Sequence, residues 1–152
     1  MSLYRSFFAL ALASLVVFQG MSFAASPATY HAALKDAQAN DRPLLVLVGA
    51  TWCPGCVTMK QTVLPAMQKD GSMKGVSYVT VDADADREVA SQLMRGSMIP
   101  QLIVFAKTPD GKWYREQITG QTSAAQVKSL IARAVTAQKA TEDVAVASAT
   151  GN

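Results

Sequence analysis

Cys53 and Cys56 are the two cysteines of the chain, and Pro54 and Gly55 separate them. A thiolate attacks disulfides whereas a thiol is nearly inert, so a nucleophilic cysteine needs a lowered pKa and access to solvent. The first turn of a helix can supply both, because unpaired N–H groups and the positive end of the helix dipole stabilise the charge. Pro54 suits that place, since its missing N–H is harmless there. A second cysteine three positions on lies on the same helix face and can resolve the mixed disulfide formed by the first. The spacing points to Cys53 as nucleophile and Cys56 as resolving thiol. A structural disulfide and a metal clip are the alternatives. So small a loop removes little unfolded-chain entropy when cross-linked, and a metal needs more ligands than the single histidine, His31, offers. Met94 and Met98 could lend thioethers to a copper site; the plainer reading has them packing the core or forming an apolar substrate surface.

The flanking sequence must then build a strand that empties into that helix. Residues 44–49 are continuously apolar, as in a strand covered on both faces, and lead through Ala50, Thr51 and Trp52 to a helix starting at Cys53. Pro65 should kink or restart this helix. Before it, Tyr30, Ala33, Leu34 and Ala37 recur at helical spacing until residues 40–43 break the run. After it come a β-branched strand over 76–82, a helix over 86–95 ended by Gly96, and strands over 102–105 and 114–118. Thr108, Pro109, Asp110, Gly111 and Lys112 give the last two strands hairpin turn chemistry. Ser123 with Gln126 resembles a capping box before a final helix whose apolar face is Val127, Leu130, Ile131, Ala134 and Val135. This order asks for an α/β domain, a four-stranded mixed sheet with helices on both faces. Asp82, Asp84 and Asp86 alternate with alanine, but no Gly and terminal Glu follow at calcium-loop spacing; a strand end and a helix cap explain them better.

The 152-residue chain fits one domain, and with half its residues hydrophobic and a mean hydropathy of +0.16 it can bury a core. Fourteen basic against 11 acidic residues give a net charge of +3 and a pI near 9.0. No two basic residues are adjacent, which disfavours nucleic acid as a partner, because phosphate neutralisation needs a clustered stripe. At the amino terminus Arg5 precedes an apolar stretch over 7–18, and Ser22 and Ala24 are small residues at the positions a signal peptidase reads. Residues 1–24 are expected to be a cleaved secretory signal, placing the mature protein in the periplasm or outside the cell. An uncleaved membrane anchor is the alternative, although Gln19, Gly20 and Ser22 interrupt the apolar run. Residues 25–137 form the domain, and residues 138–152, rich in Ala, Thr and Ser, read as a frayed tail.

Trp52-Cys53-Pro54-Gly55-Cys56 at a strand-to-helix junction, Ile99-Pro100 opening the first hairpin strand, and Gly120 before the last helix together carry a resemblance. Over residues 29–137 the chain resembles the thioredoxin superfamily, especially small secreted bacterial thioredoxin-like proteins. The resemblance implies a thioredoxin-like fold and a thiol-disulfide oxidoreductase that reduces or exchanges protein disulfides. Its redox-active Cys53–Cys56 disulfide would need no other cofactor. Trp52 would shield the disulfide and, with Pro54, Gly55, Ile99 and Pro100, contact the client. A cis Ile99–Pro100 bond would set the Ile99 backbone against an extended client chain. Disulfide-containing proteins are the implied clients, a membrane electron donor the implied redox partner, and a monomer the expected state. Two departures accompany the match. Leu47 stands where cytosolic thioredoxins hold a buried acid and Tyr78 where they hold a strand lysine, so proton transfer at Cys56 needs water or another group. No histidine lies between the cysteines, as it does in strongly oxidising relatives, which favours a reductant or moderate exchanger. The other functional class is a binding module that uses the groove around Trp52 and Pro100 to hold a partner or soft metal without turnover.

Overall fold

The computed structural model describes residues 29–140. Helix α1 (Tyr30–Ala39) opens the domain, capped by the Thr29 hydroxyl, which accepts from the Ala32 N–H at 3.2 Å. Strand β1 (Leu44–Gly49) follows, then α2 (Pro54–Thr58), a π-helical turn (Met59–Val63) and α3 (Leu64–Lys69). Strand β2 (Ser77–Asp82), α4 (Arg87–Leu93), the hairpin β3 (Gln101–Lys107) and β4 (Trp113–Thr119), and α5 (Ala124–Lys139) complete it.

The sheet order is β2-β1-β3-β4. Strands β1 and β2 are parallel, with Leu47 opposite Thr80, while β3 runs antiparallel to both β1 and β4. This is the expected four-stranded mixed sheet. Its central strand β1 is buried at all six positions, which is why its sequence lacks polar alternation. Leu45 and Leu47 face a core made with Met59, Leu64, Met67 and α5. Leu44, Val46 and Val48 face the second core, with Ala33, Ala37, Val79, Val81 and Leu93. Helices therefore cover both faces. On the second face Ser77, buried at the start of β2, donates to the Asp36 carboxylate of α1 at 2.5 Å.

The capping box of α5 forms as the sequence predicts: Gln126 N–H donates to the Ser123 hydroxyl at 3.4 Å and Ser123 N–H to the side-chain Oε1 of Gln126 at 3.2 Å. Its apolar face continues the helix through Lys139, two residues beyond the expected domain edge. The hairpin strands are also longer than their apolar runs suggest, because backbone pairing extends from Gln101 with Thr119 to Lys107 with Trp113. The expected signal over 1–24 and nearly all of the expected tail lie outside the described residues. Among the described residues no helix is long and apolar enough to cross a membrane.

Candidate active site

Strand β1 delivers the chain to a turn closed by Cys53 N–H donating to the Ala50 carbonyl at 3.3 Å. Cys53 is not the first helical residue but the N-cap: its backbone is extended (φ −89°, ψ 112°) and α2 begins at Pro54. The cap position aims a helix N–H at the sulfur, and the Cys56 N–H donates to Cys53 Sγ at 3.2 Å. The two cysteines form a disulfide, with Cα atoms 5.2 Å apart. Solvent access differs from expectation. Cys53 is only 6% exposed against 4% for Cys56, because Ala50 and Ile99 pack against the pair.

Trp52 stands beside the disulfide, 69% exposed. Its indole Nε1 donates to Asp84 Oδ2 at 2.7 Å. The loop carrying Asp84 is itself fixed by Asp82, whose carboxylate accepts the N–H groups of Asp84 at 2.9 Å and Ala85 at 3.2 Å. These two bonds hold the Asp82 pKa below the usual carboxylate value, the Asp84 N–H contributing most. The aspartate series thus ends β2 as expected, but the expected side-chain cap of the next helix does not form. Asp86 occupies the N-cap of α4 without a side-chain cap bond, and the Asp82 carboxylate instead holds the loop before the helix.

The opposite rim is the segment between α4 and β3. Its Ile99–Pro100 bond is cis, Pro100 is buried, and Ile99 packs half-buried on the cysteines. The Pro100 carbonyl accepts from Gly120 N–H at 2.8 Å, which ties this segment to the turn before α5. Gly120 adopts φ 93°, a conformation a side chain would strain. Gly55 faces the same proline: a Cβ there would lie 3.4 Å from Pro100 Cδ and from Gln121 Cβ, at ordinary contact. The two methionines part company. Met94 packs against the second core, whereas Met98 is 67% exposed on the rim. His31 is exposed on α1 against the Tyr30 ring. Among the described residues no three His, Cys, Asp or Glu side chains cluster as a metal site would require.

The structure thus brings together Trp52, Cys53, Pro54, Gly55, Cys56, Ile99 and Pro100, drawn from the β1–α2 junction and the segment just before β3. The family model described as "Thioredoxin-like domain" matches residues 30–134, spanning both segments. The chain belongs to the thioredoxin-like family. Its structure resembles that of Trichomonas vaginalis thioredoxin at 25% identity and a TM-score of 0.57, covering 72% of this chain and 98% of that one. A thioredoxin from Thermus thermophilus gives 25%, 0.56, 72% and 87% in the same order. Fasciola hepatica thioredoxin, at 23% identity and a TM-score of 0.56, covers 70% and 95% and shows the shared fold. No curated protein sequence matches the chain. Thioredoxin-like fold and Cys53–Cys56 disulfide together support a thiol-disulfide oxidoreductase.

Behind the disulfide this thioredoxin-like domain has a cavity of about 130 Å³, lined by Leu47, Gly49, Cys56, Lys60, Thr80 and Asp82 among others. Leu47 brings no ionisable group to it and is 1% exposed. Tyr78 does not substitute: its hydroxyl is hydrogen-bonded to Thr80 Oγ1 at 2.9 Å, and burial raises its pKa above the usual phenol value. The charged residues on this cavity wall are Lys60 and Asp82, a cation and a carboxylate on the side of the disulfide where Cys56 lies. Gly49 lets the end of β1 approach Cys56 closely. A Cβ on it would lie 2.8 Å from both Cβ and Sγ of Cys56. Gly49 and Lys60 were not marked by any local motif, and Asp84 was noticed only for its alternation with alanine, not as a partner of Trp52; only the terminal glycine of an otherwise branched, apolar strand could have signalled a close approach.

Proposed function

We propose that this chain is a secreted thiol-disulfide oxidoreductase that reduces or exchanges disulfides in protein clients through Cys53 and Cys56. The observation that carries this reading is the Cys56 N–H directed at Cys53 Sγ from the first turn of α2. In the reduced protein the same N–H and helix end favour a Cys53 thiolate. That thiolate attacks one sulfur of a client disulfide, a Cys53–client bond forms, and the client S–S bond breaks to release one client thiolate. Cys56, after losing its proton to water in the cavity beside it, attacks Cys53 Sγ. The Cys53–Cys56 bond forms and the second client thiolate leaves, so two electrons pass from the protein to the client. The pair itself carries the electrons, without a further cofactor, and a membrane-bound dithiol returns them.

Trp52, Pro54, Gly55, Ile99 and Pro100 form the client contact, with exposed apolar surface from Trp52 on one rim and Met98 on the other. The residue pattern over 1–24 supports export, and the absence of a histidine between the cysteines supports reduction or exchange over strong oxidation. Titration of the mature protein against dithiol–disulfide buffers tests the reading. We expect one reversible two-electron transition, and catalysed reduction of insulin once the pair is reduced. A pair that stays oxidised across the whole buffer range, with no insulin reduction, would instead mark a binding module.

A further inference from the structure

The rim that carries Met98 and Ile99 is short, mostly exposed and without regular structure, yet one buried side chain spans it. Gln101 is fully buried at the first position of β3. Its Oε1 accepts from Arg95 N–H at 3.0 Å, while its Nε2 donates to the carbonyls of Arg95 at 3.0 Å and Met98 at 2.9 Å. The Gly96 carbonyl lies 3.4 Å from the same nitrogen. A backbone N–H can only donate and carbonyls can only accept, so the surroundings fix the amide orientation. A second brace sits beside it on the sheet: Arg115 Nη2 donates to the Leu93 carbonyl and to Gln117 Oε1, both at 2.7 Å. Gln117 Nε2 then reaches Gln101 Oε1 at 3.5 Å. The guanidinium of Arg115 lies over the Phe105 ring, and its Nη1 is buried without an acceptor, which shows how closely the brace is enclosed.

We infer that Gln101 is a positioning residue for client recognition, holding the 95–98 backbone so that Met98 and Ile99 present an apolar rim beside Cys53 to extended protein segments. The inference rests on the oxidoreductase reading. Gln101 touches neither sulfur in the hydrogen-bond network and has no part in the exchange step. Its loss therefore removes the ordered rim and leaves the cysteines in place. A protein client, which must lie along the rim, feels that loss, whereas a small aromatic disulfide that reaches Cys53 alone does not.

The test uses the mature full chain with Gln101→Leu, Gln101→Glu and wild type, insulin as protein disulfide and dithionitrobenzoate as small disulfide. We expect kcat/KM for insulin to fall about tenfold or more through KM, the scale of losing one or two buried hydrogen bonds. Reduction of the small disulfide should change less than about twofold. Gln101→Glu adds a discriminating signature: its carboxylate faces carbonyl oxygens, so the insulin defect should shrink on acidification as the protonated form regains a donor. Amide exchange gives a readout independent of turnover, with Arg95 N–H losing protection at least about tenfold in Gln101→Leu while β1 stays protected. Equal losses on both substrates, or unchanged Arg95 exchange in both variants, would overturn the positioning role. Failure of wild type to reduce insulin would strike the oxidoreductase reading instead, and the exchange data would still decide whether Gln101 orders the rim.

Discussion

Replacing Gly49 by alanine probes how tightly the sheet clasps the redox turn. The new Cβ would sit 2.8 Å from Cys56 Cβ and Sγ, against an optimum of about 3.5–4.0 Å between non-bonded heavy atoms. Neither side can withdraw freely. Cys56 is joined covalently to Cys53, and the Gly49 carbonyl accepts the Ala83 N–H at 2.8 Å. Overpacking of this kind costs about 1–3 kcal/mol, and the stiffer unfolded chain of an alanine variant returns about 0.4–1 kcal/mol. The net loss expected is about 1–2 kcal/mol, or a Tm lowered by roughly 5–10 °C for a domain of this size. Urea unfolding of the oxidised mature protein should show a lower midpoint at an unchanged slope. Gly55→Ala is the internal control, since its Cβ would meet Pro100 and Gln121 at 3.4 Å, an ordinary contact; with no clash to offset the stiffer unfolded chain, it should be as stable as wild type or up to about 1 kcal/mol more stable. A Gly49→Ala protein as stable as wild type, or a Gly55→Ala protein that loses as much, would refute the close-approach reasoning.

Two further outcomes follow from the site. In the reduced protein Cys53 should alkylate with an apparent pKa below the free value of about 8.5 and much faster than Cys56, and Cys56→Ser should accumulate client mixed disulfides that Cys53→Ser does not; reversed adducts would exchange the roles. Because the Asp82 pKa is lowered in the folded state, its hold on the loop is fully present above the ordinary carboxylate range and is lost as pH falls through the lowered value. In a Trp113→Phe background the Trp52 emission should therefore shift only below the ordinary carboxylate range, and Asp82→Asn should show that shift already at neutral pH; an Asp82→Asn emission identical to its parent's at neutral pH would disprove the coupling of Asp82 to Trp52.

What could be read from the sequence was whatever a local rule encodes. The unbroken apolar run of β1 announces burial on both faces, Pro54 places a helix start, and Ser123 with Gln126 fixes the start of α5. Contacts between distant segments left no such trace. Trp52 and Asp84 meet across 32 positions, and nothing near either one encodes the pairing. Gln101 drew no notice in the sequence because a polar side chain at the head of an apolar strand gives no reason to expect full burial; most of its partners are backbone groups, which every residue possesses. The exposure expected of Cys53 failed for a related reason, since Ile99 covers it from a segment whose approach depends on the whole sheet.

The π-helical turn over Met59–Val63 has a consequence for how the redox turn is coupled to the core. Met59 and Leu64 are both fully buried on one face although five residues separate them. At about 100° per residue in an α-helix, that spacing would set them roughly 140° apart and turn one of them toward solvent. The wider turn absorbs the surplus residue and keeps both inward. The stretch between Cys56 and Leu64 therefore has a length set by angular phase. Deleting one residue there would relax the helix to regular winding with Met59 and Leu64 still aligned, whereas inserting one would rotate Leu64 and Met67 out of the core while leaving the cysteine motif intact.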